Sequence, residues 1–189
     1  MKTIEEINLK LENDIKNSPY SDKRIVFGDG NINTKILLIG EAPGGDEEKQ
    51  GRPFVGKAGK NLDEFIEIVG LERSDLYITN VVKIRPINLS PKTGKPVNRT
   101  PNTEEISFFL PYLKEEIKVV SPELIVTLGN VPLKAVTGDK KITIGDVHGD
   151  ILEIDGFKLC PLYHPASIIY NRSLKDTYLE DLEKIKNYL

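Results

Sequence analysis

The stretch Ile36-Leu-Leu-Ile-Gly-Glu-Ala-Pro-Gly-Gly-Asp-Glu-Glu-Lys-Gln-Gly-Arg-Pro-Phe-Val-Gly-Lys-Ala-Gly59 carries the signal that decides the fold. It opens on four apolar residues, the pattern of a short buried strand. It breaks into a turn rich in Gly and Pro and continues as an amphipathic helix over Ala58–Val69. In an open α/β sheet, residues at the carboxyl end of a strand face the crevice where ligands bind. Glycines there let the backbone approach a ligand and aim N–H groups at it. Phe54 lies in this loop between Gly51 and Gly56. A ring in that place either plugs a core or stacks on a flat ligand.

Working outward, strands are expected at Lys35–Gly40, Leu76–Val82, within Ser121–Gly129 and at Lys158–Tyr163. Helices are expected at Thr3–Lys16, at Ala58–Val69, from a Thr100 or Thr103 cap to about Lys118, at Val131–Val136 and at Ser173–Leu189. Pro111 predicts a kink or a break in the third of these. Arg24–Phe27 reads as a short edge strand, and Lys141–Val147 with Ile151–Ile154 as a hairpin around His148-Gly-Asp150. Ile84–Pro101 is a long loop with four prolines and a turn at Pro91-Lys-Thr-Gly94. Strands alternating with helices predict a three-layer α/β/α sandwich around a mainly parallel sheet, in one domain spanning residues 1–189.

At 189 residues the chain is long enough for one sizeable core, and its 39% hydrophobic and 29% charged content is that of a globular protein. No apolar run approaches the length of a membrane span, and the N-terminus lacks a secretory pattern. The expectation is a cytoplasmic monomer with no membrane partner. The single cysteine, Cys160, allows no internal disulfide and no cysteine metal site, and reads as a buried strand residue.

The formal net charge of −3 argues mildly against nucleic acid, but the distribution of charge argues for it. Lys49–Leu62 holds Lys49, Arg52, Lys57 and Lys60 with no acid. Lys83–Thr103 holds Lys83, Arg85, Lys92, Lys95 and Arg99 with no acid. Phe157–Lys175 holds Lys158, Arg172, Lys175 and His164, again with no acid inside residues 157–175. Brought together, the three would form a positive face that attracts phosphates.

Three strands end in a polar candidate: Glu41, Asn80 and His164. Each has a plain structural reading, as a helix cap, a turn residue or a core histidine. Their shared position predicts one pocket. Other chemistries fail on their residues. Gly51-Arg-Pro-Phe-Val-Gly-Lys57 has P-loop spacing, but Ala58 stands where a Ser or Thr must ligate magnesium. Gly40–Gly44 lacks dinucleotide-fingerprint spacing, and two histidines with one cysteine make a zinc site improbable. Ser167 and Ser173 near His164 carry no nucleophile elbow.

Gly40-Glu-Ala-Pro-Gly44, Gly51–Gly59, Thr79-Asn-Val-Val-Lys83 with Arg85-Pro86, Asn98-Arg-Thr-Pro101 and His164-Pro-Ala166 occur in that order. This set resembles the uracil-DNA glycosylase superfamily, nearest its family 4, from about Gly28 to the C-terminus. The resemblance implies a four-stranded parallel sheet and a monofunctional glycosylase that removes uracil from DNA in base excision repair. It implies that Phe54 stacks on the flipped base, that Asn80 reads the uracil edge, and that His164 bonds to O2 as the base leaves. Glu41, with the backbone of Ala42 and Pro43, would line the pocket and place the water. Lys57, Lys83, Arg85, Arg99, Ser167 and Arg172 are the expected DNA contacts, with Ile168–Arg172 as the wedge.

The chain also departs from the family. The resemblance implies four cysteines holding an iron–sulfur cluster. Here the N-terminal pair is missing around Ser18–Ser21, and Ile84 and Phe109 occupy the other two positions. Apolar side chains cannot ligate iron, so no cluster is expected. The loop after Arg85 is longer than usual for the family. Ala42 stands where another branch of the superfamily has Asp, so water activation is weaker or falls to Glu41, with Asp46 or Glu47 in the same loop as candidate helpers. Ile84–Pro101 has no histidine with which to trap a product covalently. Two alternatives remain open: the same pocket acting on another deaminated base, and a non-catalytic nucleic-acid-binding module.

Overall fold

A computed structural model describes residues 2–68 and 70–188. Its strands are β1 (Asp29–Gly30), β2 (Ile36–Gly40), β3 (Leu76–Asn80), β4 (Ile87–Leu89), β5 (Pro96–Asn98), β6 (Leu124–Leu128), β7 (Leu152–Ile154) and β8 (Phe157–Leu162). Its helices are α1 (Ile4–Ile15), α2 (Gly45–Gln50), α3 (Lys57–Ile68), α4 (Thr103–Val120), α5 (Asn130–Thr137), α6 (Ile144–Val147), α7 (Pro165–Tyr170) and α8 (Leu174–Tyr188). The expected ends of two helices, at Val69 and Leu189, lie outside the described residues.

The main sheet has the order β1-β3-β2-β6-β8-β7. The central four strands run parallel, as expected, and β1 and β7 add antiparallel edges. Every residue of β2, β3 and β6 is buried, because helices cover both faces. Leu37, Ile39, Tyr77, Ile125 and Leu159 point into a core shared with α1, α4 and α5. Ile36, Leu38, Ile78, Val126 and Leu162 point the other way, toward α3, α7 and α8. Cys160 lies in this second core, and burial pushes its thiol up to about 12.

Several local expectations are corrected. The edge strand is Asp29–Gly30 rather than Arg24–Phe27; Val26 makes one backbone bond, to the Lys83 carbonyl beyond the end of β3. Lys141–Val147 is not a strand. Ile144–Val147 forms one helical turn, with the Ile144 N–H held by Asn130, and Ile144 reaches the core. Short apolar alternation cannot distinguish these two outcomes. The hairpin is instead β7–β8, closed by Asp155-Gly156 at φ 50° and 83°, the left-handed pair that a tight hairpin turn demands.

Asn102, rather than a threonine, caps α4, exchanging bonds of 2.8 Å with Glu105. The helix runs unbroken through Pro111, which sits on its exposed side where water can satisfy the freed carbonyl. Ile84–Pro101 is a loop only in part. Its middle is the hairpin β4–β5, which turns through Pro91–Gly94 as expected.

Candidate active site

Gly40 and Asn80 end neighbouring parallel strands and lie side by side in register. A methyl group built on Gly40 would overlap both the Asn80 amide oxygen and the Phe54 ring. Only a glycine there lets the two approach. Asn80 is 3% exposed, and its Oδ1 has no hydrogen-bond partner among the described residues. Buried polar atoms in native proteins are nearly always paired, so an orphaned acceptor facing a cavity marks a place for a ligand donor.

Phe54 is buried and sits at φ 52°, a left-handed conformation that costs a non-glycine residue on the order of 1–3 kcal/mol. Two side chains hold it there. Arg73 donates to the carbonyls of Pro53 (2.5 Å) and Phe54 (2.9 Å) and is itself braced by Asp63. Glu47 accepts from the N–H groups of Val55 (3.0 Å) and Gly56 (2.7 Å) with one oxygen and of Gly44 (3.1 Å) with the other. Both Glu47 oxygens thus bind the loop backbone, which makes Glu47 a brace for the Phe54 turn. Gly59 admits the Phe54 carbonyl, which any Cβ at that position would overlap.

His164 caps α7, its Nδ1 accepting the Ala166 N–H at 3.1 Å. Its ring lies 5.9 Å from that of Phe54, at 31°. Burial pushes its pKa down to about 4, against an opposing pull from Glu47. The imidazole is thus neutral near pH 7. With Nδ1 accepting, the proton resides on Nε2, which can donate to a ligand.

Phe54, Asn80 and His164 line one cavity of about 330 Å³, together with Ala42, Lys57 and Asn98. Glu41 lies next door, in a cleft lined by Pro43, Arg99 and Thr100 that shares Ala42, Asn98 and His164 with the cavity. Burial pushes the Glu41 carboxyl above its ordinary value, with the Thr100 hydroxyl opposing.

The basic residues divide. Lys83 is not a surface contact: it is 1% exposed and bonds to Glu116 (2.5 Å), Thr79 (2.5 Å) and the Asn80 carbonyl (2.8 Å). Arg85 packs over Gly45 and bonds to Asn98 (2.8 Å) and Glu48 (3.3 Å), bracing the cavity rim. Arg99 grips Glu105 through two bonds of 2.7 Å. Lys57 and Arg172 are exposed, and Ser167 is half-buried in the first turn of α7. Within the expected wedge, Ile168 packs in the core and Tyr170 stands 89% exposed.

The Uracil DNA glycosylase superfamily model matches residues 27–185, which contain every residue of both clefts. This chain belongs to the uracil-DNA glycosylase superfamily. It is 40% identical over 168 residues to the type-4 uracil-DNA glycosylase of Thermotoga maritima, covering 87% of this chain and 83% of that one. It is 41% identical over 175 residues to the type-4 enzyme of Saccharolobus solfataricus, covering 88% and 77%. The crystal structure of wild-type Pedobacter heparinus SMUG2 shares the fold, with a TM-score of 0.56 and 17% identity over 82% of this chain and 76% of that one.

The resemblance to family 4 implies an iron–sulfur cluster, and the residues present do not fit one. Ile84 and Phe109 are buried at 1% and 0% exposure. Tyr20, in the N-terminal loop, packs its ring 5.3 Å from Phe108 and 5.9 Å from Phe109. The sole cysteine lies in the other core. Among the described residues no group of three His, Cys, Asp or Glu side chains is placed to hold a metal, and no helix is long and apolar enough to cross a membrane.

Reading the sequence missed Arg73 and Asn98 as parts of the site, and it offered Glu47 as a helper in water activation without its bonds to the loop backbone. Glu47 stands three residues after Gly44, a capping-box spacing that could have flagged its bond back to the turn. Arg73 carries no local signal, since its partners lie 19 and 20 residues away.

Proposed function

We propose that the chain hydrolyses the N-glycosidic bond of uracil in DNA, acting on a base turned out of the helix, as the first step of base excision repair. The carrying observation is the orphaned Asn80 Oδ1 beside the Phe54 ring in a cavity that one flat base can enter. An amide offers one acceptor and one donor side by side. With Oδ1 toward the ring nitrogen, uracil's N3–H and O4 match both; cytosine's ring acceptor and amino group match only if the amide turns over. A base stacked in a duplex is out of reach, and extruding it costs a few kcal/mol. Exposed Lys57 and Arg172 can offset this through phosphate contacts, and exposed Tyr170 can fill the gap the base leaves.

Bond cleavage leaves an anionic base and a cationic sugar. The neutral His164 Nε2–H donates to the growing charge on O2, a contact worth on the order of 3 kcal/mol in the transition state. A donor already neutral needs no proton transfer for this task. Glu41, in the adjoining cleft, orients the attacking water and sets a negative charge beside the cationic sugar. The chain works without an iron–sulfur cluster: Tyr20, Phe108 and Phe109 tie together the segments that the family's cluster ligands would tie.

The test is release of free uracil from a uracil-containing oligonucleotide under single-turnover conditions. Wild type should convert uracil sites to abasic sites and leave cytosine and thymine intact. Asn80→Ala and His164→Ala should each slow release by about 100-fold or more. Full activity in Asn80→Ala would end this reading.

A further inference from the structure

The hairpin β4–β5 projects from the rim of the cavity and serves no part of the chemistry above. Its base pair is Ile87 opposite Asn98, and Asn98 lines both the base cavity and the Glu41 cleft. Arg85 holds the Asn98 side chain, and Arg99 ties the Ile87 carbonyl (3.2 Å) to Glu105. The root is therefore fixed to the active site. Beyond it, every residue from Pro91 to Asn98 is exposed.

Three features of this finger point to one kind of partner. Its tip carries Lys92 and Lys95, both exposed and in no ion pair among the described residues, and residues 76–103 contain no acid. Its shaft leaves Leu89 67% and Val97 46% exposed, on a two-stranded ribbon too narrow to bury them. Its tip is preformed: Ser90 and Lys95 share a backbone bond of 2.9 Å, the Gly94 N–H returns to the Ser90 carbonyl at 2.8 Å, and Gly94 takes φ 65° in open space. A ribbon with a preformed cationic end and an exposed apolar side chain on each face, Leu89 on one and Val97 on the other, continuous with a base-binding cavity, suits the backbone and base edges of a nucleic-acid strand.

We infer that the β4–β5 hairpin is a DNA-binding arm that grips the strand flanking the extruded base, Lys92 and Lys95 on phosphates and Leu89 against the groove. The inference rests on the glycosylase reading for its choice of partner. At about 3.4 Å per residue, the tip stands about 15 Å from the root. That is about four base-pair steps along a duplex. The arm therefore acts at a distance from the reacting bond and strengthens binding without touching catalysis.

The experiment compares wild type with Lys92→Ala/Lys95→Ala and with Leu89→Ser. DNA binding is read by fluorescence anisotropy across a salt series, and uracil release on long and short substrates. The double variant should flatten the slope of log K against log[salt] by about 1.8 on duplex DNA, or about 1.4 on a single strand. It should raise KM on the order of tenfold near 0.1 M salt with kcat unchanged, and match wild type on substrates with about two nucleotides on each side of the uracil. Leu89→Ser should weaken binding severalfold with no change of slope. An unchanged slope in the double variant overturns the arm, as does an equal loss on short and long substrates. Normal DNA binding by Leu89→Ser overturns the apolar contact. If wild type binds DNA with this lysine-dependent slope but releases no uracil, the arm stands and the glycosylase reading falls; normal release with an unaffected slope gives the reverse.

Discussion

Replacing Lys83 with Met separates a core ion pair from a DNA contact. The Lys83 ammonium and the Glu116 carboxylate are each 1% exposed and 2.5 Å apart, with Thr79 and the Asn80 carbonyl completing the bonds around them. Burial pushes the lysine below its ordinary pKa, and the adjacent Glu116 pulls part of the way back. Lys83→Met strands the acid in the core. Breaking a buried pair in this way costs about 3–5 kcal/mol. At about 2–4 °C per kcal/mol for a chain of this size, the unfolding midpoint should fall by about 6–20 °C. Lys83→Met/Glu116→Leu removes both charges and should recover most of the loss, because an apolar pair of similar volume replaces an ion pair at little cost. The assay is thermal and urea unfolding of the three proteins, with the salt dependence of DNA binding measured alongside. The salt slope should be the same in all three. A Lys83→Met protein with a wild-type midpoint and a slope flatter by about 0.9 would place Lys83 on a phosphate and refute the buried pair.

Glu47→Gln keeps one acceptor but turns an amide N–H₂ toward backbone donors that now meet the carboxylate. Losing one such charge-assisted bond costs about 1.5–3 kcal/mol, so the unfolding midpoint should fall by about 3–12 °C, and uracil release should slow as the Phe54 loop loosens; unchanged single-turnover kinetics would show that the Phe54 loop holds itself. The acid limb of kcat/KM should be set by Glu41, above its ordinary value of 4.5, and in Glu41→Gln the residual activity should persist until pH nears 4, where His164 gains its proton. A limb centred near 6.5 in the variant would mean His164 is solvated. The depressed His164 pKa also has a stability sign: the neutral folded form is fully favoured above about pH 6.5, and stability is lost as pH falls from there toward 4, which urea titrations at successive pH values will register. Protein prepared without oxygen should carry only trace iron and no visible absorbance, and Tyr20→Ala should lower the unfolding midpoint; stoichiometric iron would overturn the aromatic replacement of the cluster.

The sequence by itself determined the alternating layers and a mainly parallel sheet, because continuous apolar runs such as Ile36–Ile39 and Leu124–Val126 can be buried on both faces only in a covered sheet. It also placed Glu41, Asn80 and His164 at strand ends, since the end of an apolar run is a local feature. Whether a basic residue faces solvent or the core is not local. Lys83 reads the same as Lys92 in the chain, and only the arrival of Glu116 on α4, 33 residues later, draws it inward. The same holds for Phe54. Its loop announced a ring between glycines, but its strained backbone is held by Glu47 and Arg73, and the space for its ring exists because Gly40 lies beside Asn80 in register. Local patterns record which surfaces must be buried; the partners that satisfy buried charges and backbone donors come from distant segments, and are fixed only when the layers close.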